Sequence, residues 1–127
     1  SLSAKLHSLG AHVTITTRDP KNFPAIEQLS CTPDETGRYH EGLSQYDAIF
    51  NAVPAPIFSV EQLKALRPDC FYIELASSPG GISPDALKPA HYIPAPGLPG
   101  RTAPKTAAQF IFRAMCDSPY LSQPEVL

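Results

Sequence analysis

The sequence has no run of basic residues and no long apolar stretch, and each absence excludes a class of protein. The ten lysines and arginines are scattered and the formal net charge is -2, so nothing in the charge favours nucleic acid. No segment approaches the roughly 20 apolar residues needed to span a bilayer, and no signal peptide is visible. We therefore expect a cytoplasmic protein that binds neither nucleic acid nor a membrane.

Cysteine is also sparse. Cys31, Cys70 and Cys116 are odd in number and far apart, which predicts free thiols in a reducing compartment rather than a disulfide framework. The four histidines lack the spacing of metal ligands, so we expect no metal site. No combination of serine, histidine and aspartate can be argued as a triad, and the catalytic residues stay unknown.

Proline is abundant, and the 15 prolines separate short apolar segments at intervals. Because proline ends helices, this pattern suits a chain that alternates between elements and not a helical bundle. Expected helices lie at 2–9, at 22–29, after a Ser59 cap, at Ser83–Pro84 and over a stripe formed by Ala107, Phe110, Ile111, Ala114 and Met115. Expected strands lie at 11–17, within 31–40, at 46–53, 70–76 and 91–93. This alternation predicts an α/β fold, a doubly wound parallel sheet of Rossmann-like type over residues 1–119, with a C-terminal tail at 120–127.

The expected sheet is incomplete at its start. The pattern opens directly on a helix, with Leu2, Leu6 and Leu9 on one face and Gly10 as its end. The first strand of a Rossmann fold and its glycine-rich loop are therefore missing, which indicates a piece of a longer domain. That strand is normally internal, so its loss would expose the centre of the sheet. An open sheet edge pairs readily with another chain, and we expect a homodimer or strand exchange there.

Ligands of open α/β sheets bind outside the carboxyl ends of the strands. Thr17 and Arg18 end the first expected strand, where an arginine suits a 2′-phosphate because it can bind it bidentately. The alternative is a solvated arginine beside Asp19. The segment from Asn51 to Pro54 ends a second strand and forms a stiff loop over which a flat ligand can lie. The alternative here is that Asn51 satisfies a neighbouring loop, as buried asparagines commonly do.

Two further strand ends carry unusual residues. Ala76 and Ser77 lead into Gly80 and Gly81, which permit close backbone approach; a tight turn is the alternative, since the spacing is not that of a phosphate-binding loop. Residues 97–105 lead into the last expected helix, whose N-terminus attracts anions, although an exposed lysine on a rigid loop explains them equally well. The candidate cofactor-binding residues are Thr17, Arg18, Asn51, Ala52, Val53, Pro54, Ala76, Ser77, Gly97, Leu98, Pro99 and Lys105.

At these strand ends the sequence resembles the family of dipicolinate synthase A chains. The strongest match is Ala-Pro-Gly-Leu-Pro-Gly-Arg-Thr-Ala-Pro-Lys-Thr-Ala at 95–107, and the segments 49–55 and 73–81 match in order and spacing. The resemblance implies an NADP-dependent oxidoreductase that forms dipicolinate in sporulation together with a flavoprotein-like partner, the dipicolinate synthase B chain. By position, Thr17 and Arg18 would meet the adenosine phosphate, the Asn51 and Ala76 loops would line the dinucleotide, and residues 97–105 would approach the nicotinamide.

Two other interpretations stay open. The chain is alternatively a truncated, non-catalytic α/β module that self-associates without binding a dinucleotide. A polyproline ligand at 96–101 is a weaker alternative, because that segment lies between an expected strand and an expected helix.

Overall fold

The computed structural model describes residues 2–95 and the backbone of residues 109–113. In these ranges the chain alternates between short helices and strands, as the sequence predicts as far as the fourth strand. The elements are α1 Leu2–Ser8, β1 His12–Thr17, a 3-10 turn Pro20–Asn22, α2 Phe23–Gln28, β2 Thr32–Glu35, β3 Ala48–Asn51, α3 Val60–Lys64, β4 Phe71–Glu74, β5 His91–Pro94 and β6 Gln109–Arg113. No helix in this part of the chain is both long and apolar enough to cross a membrane.

The strands form one sheet in the order β2-β1-β6-β3-β4-β5. β1 pairs with β2 in parallel, and β3, β4 and β5 pair with one another in parallel. β6 runs antiparallel to both β1 and β3, so β1 to β5 all point the same way. Their carboxyl ends therefore meet at one side of the sheet, which we call the carboxyl edge. This is the α/β architecture that the sequence predicts.

The core lies on both faces of the sheet. All four residues of β3 are buried, as the apolar run at its position predicts. Phe50 packs in a cluster with Leu6 of α1 and Ile26 of α2, whereas its neighbour Ile49 packs in a second cluster with Leu63 of α3. Since successive strand residues point to opposite faces, the helices cover the sheet from both sides.

The start of α3 agrees with its sequence signal in detail. The Ser59 hydroxyl accepts from the Gln62 N–H at 3.1 Å, and the Gln62 side chain accepts from the Ser59 N–H at 2.9 Å. This is the reciprocal capping box, which satisfies two otherwise unpaired donors. Phe58 and Leu63 are both buried in the same cluster, at the N′ and N4 positions of a hydrophobic staple.

The prediction of a short helix at Ser83–Pro84 is wrong. The chain makes a single turn there, in which Ala86 N–H donates to the Ser83 carbonyl at 3.0 Å, and it then continues without helix towards β5. A first helical turn fixes several residues for one hydrogen bond, so it persists only when further bonds follow. The sequence signal for a helix start was present, but no residues after it extend the helix.

The last expected helix is also wrong, because Phe110 and Ile111 belong to β6. This strand pairs with five residues of β1 on one side and four residues of β3 on the other. Without it, the backbone N–H and C=O groups facing the gap between β1 and β3 would lack partners inside the sheet, which is costly. Sheet pairing thus overrides the helical spacing, and Phe-Ile-Phe has high strand propensity. Ala107, Ala114, Met115 and the expected tail at 120–127 lie outside the described residues.

The position of β6 also corrects the expectation of an exposed sheet centre. β6 lies between β1 and β3, where the sequence left a gap for a missing strand, so this part of the sheet has no open edge. The homodimer or strand exchange itself stays a prediction, and β2 and β5 form the two outer edges of the sheet.

Candidate functional site

The carboxyl edge brings together three of the four strand ends that the sequence selects. β1 and β3 are separated by β6, a distance of about 10 Å at two strand spacings. β3 and β4 are direct neighbours, and the N–H groups of Leu75 and Ala76 both donate to the Asn51 carbonyl, at 2.8 and 3.2 Å. The loops that follow Asn51 and Ala76 therefore lie side by side on the same edge as Arg18. Gly97, Leu98, Pro99 and Lys105 lie outside the described residues.

At the end of β1, Thr17 and Asp19 are hydrogen-bonded within the turn that follows, whereas Arg18 is exposed. The Thr17 hydroxyl accepts from the Asp19 N–H at 3.2 Å and from the Asn22 side-chain amide at 3.0 Å, so it holds the 3-10 turn in place. The Asp19 carboxylate accepts from the Lys21 N–H at 3.0 Å as the cap of that turn. Arg18 is exposed, and within residues 2–95 its guanidinium has neither a hydrogen bond nor an ion pair.

Asn51 ends β3 with its side chain wholly inside the protein, at 0% exposure. Its amide nitrogen donates to the Val53 carbonyl at 2.9 Å and its oxygen accepts from the Val53 N–H at 3.1 Å. The interpretation that Asn51 satisfies a neighbouring loop is confirmed. Ala52 is buried and Val53 half-buried, whereas Pro54 is exposed, so Val53 and Pro54 present the surface of this loop.

The Asn51 amide also contacts a buried acid whose role the sequence leaves open. Glu74, the last residue of β4, is 4% exposed. One carboxylate oxygen accepts from the Asn51 amide at 2.6 Å, and the other accepts from the Tyr72 hydroxyl at 3.1 Å and the Gly81 N–H at 2.7 Å. We call Asn51, Tyr72, Glu74 and Gly81 the Glu74 cluster. A signal for it exists in the sequence, since Tyr72 and Glu74 are two residues apart and therefore share one face of the strand.

The turn after β4 is built tightly against this cluster. Gly80 N–H donates to the Ser77 carbonyl at 2.9 Å, which confirms the tight-turn interpretation of this glycine pair. Gly80 has a φ of +74°, and a Cβ there would lie 2.6 Å from a Glu74 carboxylate oxygen. Ser77 is exposed at the tip of the turn, whereas Ala76 is buried. Glycine is required at position 80 both for its backbone conformation and for the space that it leaves.

Two comparisons with known proteins agree with each other, while no protein-family model matches the chain. The chain is 31% identical over 109 residues to the dipicolinate synthase A chain of Bacillus subtilis strain 168, which covers 82% of this chain and 36% of that relative. The crystal structure of the dipicolinate synthase A chain from B. subtilis matches with a TM-score of 0.66, 32% identity and 83% of this chain covered. The corresponding structure from Bacillus halodurans matches with a TM-score of 0.67, 30% identity and the same coverage. The matched part of this chain belongs to the family of dipicolinate synthase A chains.

The chain spans 36% and 37% of the two solved dipicolinate synthase A chains. The carboxyl edge therefore belongs to a region that matches little more than a third of each of these A chains. The family membership agrees with the resemblance seen in the sequence at residues 49–55 and 73–81.

The accessible surface of the carboxyl edge includes one guanidinium and two adjacent loops. Arg18 offers an exposed guanidinium, which suits a phosphate group. Val53, Pro54 and Ser77 form the accessible surface of the two adjacent loops. Asn51 lies beneath that surface and holds its loop by internal hydrogen bonds, whereas Thr17 is half-buried and its hydroxyl bonds to Asp19 and Asn22.

The thiols of the described residues lie away from this chemistry. Cys31 and Cys70 are free and buried, and burial raises the pKa of both, that of Cys70 to about 12. A thiol with so high a pKa stays protonated and is a poor nucleophile or metal ligand. Among residues 2–95, no group of three or more potential ligands is arranged to hold a metal ion.

Proposed function

We propose that this chain is the dinucleotide-binding part of an NADP-dependent oxidoreductase of the dipicolinate synthase type. By this proposal the whole protein works in the cytoplasm, forms dipicolinate during sporulation and acts with the flavoprotein-like dipicolinate synthase B chain. The names of the related proteins support the reaction, and the α/β fold with its shared carboxyl edge supports a nucleotide as the ligand.

The observation that carries the proposal is the free Arg18 at the end of β1. An acidic residue commonly occupies this place in folds that bind NAD, where it accepts from the ribose 2′-hydroxyl. A guanidinium instead attracts a 2′-phosphate, which is the group that distinguishes NADP from NAD. The exposure of Arg18 and the absence of a partner for it within residues 2–95 leave its donors available for such a phosphate.

The remaining groups of the edge would orient the ligand. The Val53–Pro54 surface and the Ser77 turn are held rigidly from below by Asn51 and Glu74, so a flat ligand would meet a preformed floor. A bound dinucleotide supplies hydride transfer. We expect the groups that transfer protons elsewhere in the whole protein.

Titration calorimetry with NADPH and NADH tests the proposal, with Arg18→Ala as the decisive variant. A charge-assisted hydrogen bond contributes roughly 1.5–3 kcal/mol, and an exposed site lies towards the lower limit, so we expect NADPH affinity to fall about tenfold while NADH affinity stays within about twofold. Lys64→Ala is the matched control, since Lys64 is an exposed cation in the last turn of α3, away from the carboxyl ends of the strands. Saturable NADPH binding that is unaffected by Arg18→Ala would contradict the proposed role of the arginine.

One observation favours the alternative, a non-catalytic α/β module that binds no dinucleotide. β6 is antiparallel, so it presents its amino end, Gln109, at the carboxyl edge beside Asn51 and Thr16. A Rossmann sheet has the carboxyl end of a central strand at this place, followed by a phosphate-binding loop. Absence of saturable binding of either dinucleotide would decide for this alternative.

A further inference from the structure

The Glu74 cluster is a buried polar network in which each group has a fixed role as hydrogen-bond donor or acceptor. Three donors converge on the Glu74 carboxylate: the Asn51 amide, the Tyr72 hydroxyl and the Gly81 N–H. Within residues 2–95 no cation pairs with this carboxylate. A buried charge of this kind is tolerated only when hydrogen bonds satisfy it, so the three donors are what holds it there.

None of the three donors can turn away without loss. Rotating the Asn51 amide would break both of its bonds to Val53. Tyr72 is 0% exposed, and burial followed by the nearby Glu74 carboxylate raises the pKa of its hydroxyl, which therefore stays protonated and donates. The Gly81 N–H is fixed by the backbone. The network thus has a single set of donors and acceptors.

Gly81 connects the Glu74 cluster to the loop that follows β3. Its N–H donates to Glu74, and its carbonyl accepts from the N–H groups of Ile57 and Phe58 at 3.0 and 3.3 Å. Phe58 and Ile82 form an isolated parallel bridge beside it. One buried carboxylate therefore ties together the end of β4, the turn that follows it and the loop that follows β3.

We propose that Glu74 is the positioning residue of the candidate dinucleotide site. It holds the loop after β3, which contains Val53, and the turn after β4, which begins at Ser77, in a fixed position relative to each other. It does so through its hydrogen bonds to the Asn51 amide and the Gly81 N–H. The inference rests on the proposed function for its ligand, and on the hydrogen bonds of the cluster for its structure. Glu74 itself is buried beneath both loops and acts through them.

Glu74→Gln tests the inference at constant size. The new side chain has one acceptor oxygen and one NH₂ group, so an NH₂ would face either the Asn51 NH₂ or the Tyr72 and Gly81 donors. In one orientation the Gly81 N–H loses its acceptor, and in the other it meets a neutral oxygen that accepts more weakly than a carboxylate. We therefore expect the exchange protection of the Gly81 amide, measured by NMR, to fall at least tenfold while that of Ile15 in β1 is unchanged. We also expect the dissociation constant for NADPH to rise at least fivefold, measured well below the unfolding temperature.

Two further variants keep the test decisive. Ile26→Ala removes a buried side chain from α2 and should lower global stability without changing Gly81 protection or NADPH affinity. Tyr72→Phe removes one of the three donors, so it should lower Gly81 protection and NADPH affinity as Glu74→Gln does, but by less. If Glu74→Gln does not fold, Tyr72→Phe takes its place in the test.

The outcomes separate this inference from the proposed function. Unchanged Gly81 protection in a folded Glu74→Gln protein would overturn the structural basis of the inference. Lost protection with unchanged NADPH affinity would reduce Glu74 to a stabilising residue and overturn its positioning role. No NADPH binding by the unmodified chain would reject the proposed function, and the positioning of a dinucleotide with it, even if Gly81 protection falls as expected.

Discussion

Replacing Gly81 with alanine is the most direct measure of how tightly the carboxyl edge is built. An ideal Cβ at this position would lie 2.6 Å from the Tyr72 hydroxyl oxygen, and closer still to the Asn51 side-chain nitrogen. Ordinary contacts begin at 3.4 Å, so these atoms would have to move apart by about 0.8 Å or more. Both side chains are 0% exposed and hydrogen-bonded to Glu74, so neither has free space to enter.

The expected cost follows from two contributions. Overpacking a rigid site costs roughly 1–3 kcal/mol. Loss of the bond from the Gly81 N–H to the buried carboxylate would add roughly 1–3 kcal/mol. We therefore expect Gly81→Ala to lower the free energy of unfolding by about 2–6 kcal/mol, which at about 4 °C per kcal/mol corresponds to a Tm lower by roughly 8–24 °C.

Gly37→Ala is the matched control because it separates crowding from backbone strain. Gly37 has a φ of +92° but nothing within 4 Å of an added Cβ, so it should lose only the roughly 1–2 kcal/mol of left-handed strain. Urea unfolding followed by far-UV circular dichroism suits a chain with five tyrosines and no tryptophan. If Gly37→Ala proves as destabilising as Gly81→Ala, or if Gly81→Ala is neutral, the reasoning about the Glu74 cluster is refuted.

Two further predictions concern the buried thiol and the sheet centre. Burial raises the pKa of Cys70 to about 12, above its unfolded value of about 8.5, so the unfolded state releases the proton first and stability falls as pH rises between the two. The slope should reach about 1.4 kcal/mol per pH unit and be shallower in Cys70→Ala, which urea titrations at several alkaline pH values would show; equal slopes would contradict it. The homodimer or strand exchange predicted from the sequence should appear as a dimer in light scattering at micromolar concentration, and a monomer would count against it.

The parallel part of the fold follows from local signals. The buried run at 48–51, the capping box at Ser59 and Gln62, and the turn at Gly10 each specify an element through nearby residues alone. Because parallel strands share one direction, the same signals also place Arg18, Asn51 and Ser77 on one edge.

Local signals predicted only part of the candidate site. The sequence marks Asn51 as an unusual polar residue in an apolar run, and it offers the contact with the neighbouring loop as one explanation. It does not show that the Gly81 N–H returns to Glu74 across seven residues. Such a bond depends on how the turn after β4 folds back, which spacing alone does not encode.

The amino-acid sequence by itself determined that 46–53 and 70–76 contain strands buried on both faces, because a continuous apolar run marks such a strand locally. Only the tertiary structure decided the fate of residues 109–113, whose helical spacing yields to the unpaired backbone groups of β1 and β3 on either side. Leaving the backbone groups of two strands unpaired costs more free energy than giving up a local helix propensity. These unpaired groups exist only once β1 and β3 are in place.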